Sequence, residues 1–497
     1  MADTQSDTSA PAGRSMRLFV VMALGILALR IVALRMNNSE LFFDEAQYWL
    51  WGREPDFGYF SKPPLLGWIL AAFTGLCGNG EFCVRLPSAI LHTLTAFALY
   101  LTAATLFDRR TAFVAGALWL LLPAVSLSAT LISTDAPLLA CWSLGMLALA
   151  RYRREGGAVW LLLLALAFGL GLNAKYAMVY FLLCFVLYGA CVRQGRAMLA
   201  DGRIWAAFAI GFAFLVPNIL WQMDHQFTTV THTGDNIGWR GEFPNFTGLL
   251  EFLGSQFGVA GPVVFAVYLI ALFRLWREGA SETQKGLIAF SLPILALVCF
   301  QAVMSKAYAN WAATAFPAVV LLTADLFVHR MPAFWLRLSN GIHLVVFAAL
   351  LVLPAFALPG QLPVADRANP FARLWGGRDL AVEIAAAADQ AGAAGVLSDS
   401  RKRSATLTYY LRDTPLRLYA WRRGAAPGDH YELTRALQDQ PPEALAGRKF
   451  VLPVTGTTIP ADIASAFDTV SEIRSVPDYP GSRDTIRLYL LEGYHGG

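Results

Sequence analysis

The 497-residue chain is 56% hydrophobic and only 15% charged, with a mean hydropathy of +0.49, whereas a soluble globular chain carries about 25% charged residues. That balance excludes an ordinary soluble domain and points to an integral membrane protein. The net charge of +4 comes with no basic cluster interleaved with a binding motif, so there is no nucleic-acid footprint.

Residues 1–16 are polar and small and read as a disordered tail. The apolar run that follows is about as long as a bilayer requires, roughly 20 residues, and has no clear small-residue cleavage site, so it reads as a retained first span. Further apolar runs lie at about 85–106, 111–128, 136–150, 158–173, 176–192, 204–221, 250–273, 286–304, 311–328 and 340–358, predicting about eleven transmembrane helices. Alternate short loops carry Arg109 and Arg110, then Arg151, Arg153 and Arg154, then Arg193, Arg196 and Arg203, then Arg274, Arg277 and Lys285, then Arg330 and Arg337. The positive-inside rule makes these loops and the N-terminus cytoplasmic. The opposite loops, beginning with 37–84, then face the periplasm of a bacterial inner membrane. In that first outer loop, Cys77 and Cys83 of "CGNGEFC" either close a disulfide in an oxidising compartment or remain free thiols. After the Pro-rich "LPGQLPVADRANP", residues 361–497 turn polar, with a helix-like "GRDLAVEIAAAADQAG" and a strand-like "DTIRLYLLEGY". This segment reads as a periplasmic α/β domain of a size that folds as one unit.

The stretch "FDEAQYWLWGREPDFGYFSKPPLLGW" crowds charges and aromatic rings directly after the first span. Asp44 and Glu45 open it, Lys62 follows, and Asp135 sits in "STDAP" at the start of the second outer loop. Each carboxylate has a structural reading: an Asp before a helix accepts its free N–H groups, and Asp135 precedes Pro137 near a first helical turn. Together they suggest chemistry. A carboxylate accepts a proton from an attacking hydroxyl, and a lysine beside it holds a phosphate as a point charge. A site needing both at membrane level suits transfer from a phosphate-bearing lipid.

"FDEAQYWLW", "GYFSKPPLLGW", "EFCVRLPS", "STDAP", "NAKY" and "ANWAA", in this order, resemble the lipid-linked-sugar glycosyltransferases of the GT-C fold class. The matching branch includes protein O-mannosyltransferases and the bacterial aminoarabinose transferases of lipid A. The resemblance implies an all-α polytopic catalytic domain over residues 17–360 followed by the soluble α/β domain. It also implies an inverting transfer from a polyprenyl-phosphate sugar to lipid A, lipopolysaccharide core or another envelope acceptor. Asp44, with Glu45 beside it, would act as general base or orient the acceptor. Asp135 would support the acceptor or the developing oxocarbenium charge, and Lys62 would stabilise the leaving polyprenyl phosphate. Aminoarabinose transferases carry a Glu just before the matching lysine, where this chain has Ser61; a metal-independent reaction with no cofactor is therefore the preferred expectation. A protein O-mannosyltransferase is the alternative within the class, and a polytopic transporter or flippase the alternative outside it.

Further candidates lie in the other outer loops. Tyr59, Lys175 and Arg240 are candidates for the donor phosphate, against a snorkelling role for Lys175. Tyr176, His225, His232, Lys306, Asn310 and Trp311 are candidates for substrate contacts, against an interfacial aromatic belt. His225 and His232 with Asp224 or Asp235 match no strong metal signature.

Overall fold

A computed structural model describes residues 12–238 and 243–496. The chain divides into two compact units. One comprises Met1–Arg35, Lys62–Leu66 and Arg85–Val352; the other comprises Met36–Ser61, Gly67–Val84 and Leu353–Gly497. Most of the first outer loop is thus grouped with the C-terminal segment, whereas Lys62–Leu66 stays with the membrane helices.

The helices that position the candidate residues are α1 (Ala12–Arg35), α2 (Phe43–Arg53), α3 (Leu65–Cys77), α4 (Glu81–Leu106), α5 (Arg109–Leu121), α6 (Pro123–Ser128), α7 (Asp135–Glu155) and α8 (Ala158–Ala174). Helix α1 starts inside the segment expected to be a disordered tail; residues 1–11 of that tail lie outside the described residues. Among the described residues, six helices are long and apolar enough to cross a membrane: Gly13–Arg35, Glu81–Leu106, Gly202–Asp224, Glu282–Met304, Ala309–His329 and Ala333–Phe356. A seventh crossing exists if Phe246–Ala260 and Pro262–Glu278 form one span, and that pair is bent by 116°. The apolar run at 250–273 therefore is not one straight helix. Gly261 has φ +81° and a Cβ there would lie 2.1 Å from His343 Nε2, so only glycine fits the bend, and Pro262 starts the next helix where its missing N–H costs nothing. Two other expected spans are short for a related reason. Pro123 separates α5 from α6, and Lys175, in extended conformation, ends α8.

The core of this first unit is aromatic and aliphatic. Trp142 packs edge-on against Phe181 with ring centroids 5.0 Å apart, and Gly145 lets that ring approach, since a Cβ would lie 2.9 Å from it. Buried Arg30 in α1 donates through Nη2 to the Leu120 carbonyl at 2.6 Å, while its Nε and Nη1 have no hydrogen-bond partner among the described residues.

The second unit holds a five-stranded sheet of order β2-β1-β3-β5-β4, built from β1 (Gly395–Ser398), β2 (Arg417–Ala420), β3 (Phe450–Thr455), β4 (Phe467–Pro477) and β5 (Thr485–Tyr494). Strand β1 is parallel to β2 and β3; β5 runs antiparallel to β3 and β4. The expected strand around 484–494 is β5, and the expected helix is Gly377–Ala391. Leu397, Phe450, Leu452, Ile463 and Leu491 are fully buried and close the core of the sheet.

The first outer loop is tied into this unit at named points. Cys77 and Cys83 are disulfide-bonded with Cα atoms 5.9 Å apart. Trp49 Nε1 donates to Asn79 Oδ1 at 3.0 Å, and Tyr409 Oη donates to the Asn79 carbonyl at 2.8 Å. Glu81 Oε1 accepts from Arg378 at 2.8 Å and from Tyr410 Oη at 2.7 Å, while Glu40 accepts the Arg378 backbone N–H at 3.1 Å. Burial pushes the Glu40 carboxyl up to about 7, against the pull of that N–H and of the Arg378 charge.

A raised carboxyl value means that the folded state binds the proton more tightly than the unfolded chain, so this stabilisation is complete below about 4.5 and lost as pH rises through about 7. Thermal unfolding of the purified protein between pH 4.5 and 8.5 should show this unit losing on the order of 2 kcal/mol over that window, with Glu40→Gln flattening the slope. An unchanged slope in the variant would assign it to other groups.

Candidate functional site

In the first unit, three expected residues meet. Asp135 lies at the N-terminus of α7, where the helix dipole favours a negative charge. Its Oδ1 accepts from Lys175 Nζ at 2.7 Å and its Oδ2 from Asn310 Nδ2 at 2.7 Å. Lys62 lies within electrostatic reach of the same carboxylate. Sequence alone placed Lys175 either at the donor phosphate or snorkelling to the interface. The break at the end of α8 instead turns its side chain onto Asp135, because Lys175 is extended between α8 and the short turn Tyr176–Met178. With both oxygens bonded to fixed donors, Asp135 is held in one orientation.

Tyr176 is a neighbour in sequence but serves a different network. Its hydroxyl donates to Asn218 Oδ1 at 2.6 Å and accepts from Gln222 Nε2 at 3.3 Å. His225 stacks on Trp221 with centroids 3.9 Å apart and places Nδ1 2.8 Å from the Trp221 carbonyl, so it is pinned to its own helix. His232 lies on the helix Thr228–Ile237. Among the described residues, no three His, Cys, Asp or Glu side chains gather as a metal site. Lys306 places Nζ 5.5 Å from the centre of the Tyr308 ring, and Trp311 packs edge-on against that ring at 5.5 Å; both belong to an aromatic rim rather than to the Asp135 array. Arg240 lies outside the described residues.

In the second unit, the opening carboxylates have separate jobs. Glu45 is almost fully buried and accepts the Phe42 N–H at 3.0 Å, capping α2 in the way that a third-position glutamate reaches back to the N-terminus. The capping role considered for Asp44 thus falls to Glu45. Asp44 is left for a tertiary partner: Arg401 Nη2 donates to its Oδ1, and Arg401 Nε donates to Gln47 Oε1 at 2.8 Å. The Arg401 guanidinium also lies over the Phe43 ring, 5.2 Å from its centre.

Tyr59, expected at the donor phosphate, is 2% exposed and its hydroxyl donates to the Trp51 carbonyl at 2.8 Å while accepting the Asp56 N–H at 3.1 Å. Its ring stacks on Trp51 at 4.5 Å, and Gly67 makes room for it, since a Cβ would sit 2.5 Å from the hydroxyl. These contacts make Tyr59 a lock of its own loop.

Arg401 and Gln47 were missed by the sequence reading. A signal existed for Arg401: it opens a helix, where the dipole disfavours a cation, so a tertiary partner was required to explain it.

Residues 61–221 match the family described as Dolichyl-phosphate-mannose-protein mannosyltransferase. The lipid A galacturonosyltransferase RgtD of Rhizobium johnstonii is 34% identical over 430 residues, covering 85% of this chain and 89% of that protein. The crystal structure of ArnT from Cupriavidus metallidurans in the apo state is similar with a TM-score of 0.62 at 17% identity, covering 96% of this chain and 97% of that one. The same protein bound to undecaprenyl phosphate gives 0.60 at 18% identity. The helical membrane unit with its small C-terminal sheet is therefore the GT-C fold expected from the sequence.

Replacing Lys175 by Met should cost about 3 kcal/mol of stability, because it leaves the partly buried Asp135 carboxylate without its cation. Lys175→Met combined with Asp135→Asn should regain most of that loss in thermal unfolding, yet remain inactive. A single variant as stable as the wild type would show that the pair is not needed for the fold.

Proposed function

The chain belongs to the family of the lipid A galacturonosyltransferase RgtD, and from that premise we propose that it moves a uronosyl group from a polyprenyl-phosphate donor to lipid A or a related envelope glycolipid. It is a membrane glycosyltransferase using a lipid-linked sugar. The sugar class is taken from what RgtD transfers, and the donor class is supported by the likeness to ArnT, which binds undecaprenyl phosphate. The observation that carries the reading at the level of chemistry is the fixed Asp135 carboxylate, held by Lys175 and Asn310 with Lys62 in reach.

In this reading Lys62 meets the donor phosphate and stabilises it as negative charge builds on the leaving group. Asp135 supports the acceptor or the positive charge developing at the anomeric carbon. Asp44 orients the acceptor and takes its proton if that nucleophile is a hydroxyl; a phosphate nucleophile is already ionised and needs positioning alone. Attack from the face opposite the leaving phosphate inverts the anomeric centre. No metal is assigned a role, and Ser61 in place of a glutamate supports that. Proximity of two membrane-bound substrates supplies much of the remaining acceleration.

The arginine-rich loops support about eleven crossings with the N-terminus inside and the C-terminal domain in the periplasm. The Cys77–Cys83 disulfide supports the same side for the first loop, since such bonds persist in oxidising compartments. A protein acceptor is the second reading, favoured by the match of residues 61–221 to the mannosyltransferase family. The transporter alternative is set aside by family membership.

Mass spectrometry of envelope lipids from cells with and without the gene should reveal a missing uronosyl substituent, restored by the wild type and not by Asp44→Asn. Lys62→Ala should raise the KM for the lipid donor by about tenfold or more. Unaltered glycolipids alongside an under-glycosylated protein would favour the second reading.

A further inference from the structure

Helix Arg401–Tyr410 begins with a cation and is preceded by Ser400, whose side chain makes no capping hydrogen bond. The cation opposes helix stability locally, and the unused serine forgoes the usual gain of a cap. What they provide is a guanidinium aimed at α2, where it engages three side chains of one turn: the Phe43 ring, Asp44 Oδ1 and Gln47 Oε1. Arginine suits this because its planar fork presents several donors in fixed directions. Lysine, as a point charge, would meet the carboxylate without fixing its plane. Gln47 reinforces the point: it is fully buried and its Nε2 has no hydrogen-bond partner, a cost accepted at a position whose carbonyl oxygen anchors Arg401. The pair is about one-third exposed on each side, 35% for Arg401 and 34% for Asp44, so solvent reaches it.

The charge has a further consequence. A site that admits a lipid phosphate, a uronate and the phosphates of a glycolipid repels its substrates if it also presents a bare carboxylate. A cation on one oxygen of Asp44 offsets that repulsion while the second oxygen keeps its direction.

We propose that Arg401 is a positioning residue for sugar transfer, supplied by the C-terminal domain, which orients the Asp44 carboxylate by bridging it to Gln47. The proposal rests on the assignment of Asp44 to the transfer site. The full-length enzyme, in detergent, is assayed with a polyprenyl-phosphate uronosyl donor and lipid A. Arg401→Ala should lower kcat by on the order of 10- to 100-fold, the scale of a misplaced catalytic group, with the donor KM changed less than about threefold. Arg401→Lys should recover part of the rate, and millimolar ethylguanidinium should raise the rate of Arg401→Ala but not of Asp44→Asn. Wild-type kcat in Arg401→Ala would overturn the proposal. So would a loss that neither lysine nor ethylguanidinium relieves and that comes with a lowered unfolding temperature, because the role would then be structural. A wild-type enzyme inactive with this donor would overturn the proposed function instead.

Discussion

A carboxylate at the edge of a membrane is expensive unless every lone pair has a partner, and the placement of Asp135 follows from that constraint. Water hydrates it poorly there, so the protein substitutes a lysine on one oxygen and an asparagine on the other, both at 2.7 Å. Those donors come from far along the chain, and each demands an irregularity in a helical region: α8 must stop at Lys175, and Asn310 must sit in the tight turn Ala309–Ala315. Breaks that look like defects in a hydropathy profile are the places where polar groups are delivered. The membrane tolerates non-helical backbone where it lines a protein interior rather than lipid.

The coarse fold was legible because it depends on composition and period. Apolar runs gave the helical membrane unit, and alternation in "DTIRLYLLEGY" gave β5. The bends were not legible, since Gly261 looks unremarkable in an apolar window and a window average does not register one residue's backbone angles. Asp44, Lys62, Asp135 and Lys175 stood out because charge is rare in such a chain. Their division of labour did not, because it is a tertiary matter. Nothing local distinguishes Asp44 from Glu45: Glu45 turns back to the Phe42 N–H because a helix N-terminus needs an acceptor, and Asp44, one position earlier on α2, meets an arginine more than three hundred residues away in sequence. The burial of Tyr59 was not legible either, since a tyrosine near a lysine reads as exposed while its hydroxyl is bonded within its own loop.

Grouping the first outer loop with the C-terminal segment changes how that segment is understood. A loop of about fifty residues closing on itself cannot bury enough apolar area to order its backbone. Here Trp49 and Tyr409, Glu81 with Arg378 and Tyr410, and Asp44 with Arg401 give it a partner. The sheet domain is therefore a support for the helix that carries Asp44, which gives it a reason to be joined to a membrane enzyme without requiring a site of its own.

The distribution of cations then separates two tasks that the sequence ran together. Lys175 neutralises a carboxylate in the membrane unit, where ionisation itself is costly. Arg401 meets a carboxylate that is one-third exposed, where solvent screens charge and direction is what a partner can supply. A flexible ammonium suffices for the first task; a planar guanidinium serves the second. The two residue types follow from the two dielectric settings, and exchanging them would leave the net charge of the chain unchanged while removing what each position requires.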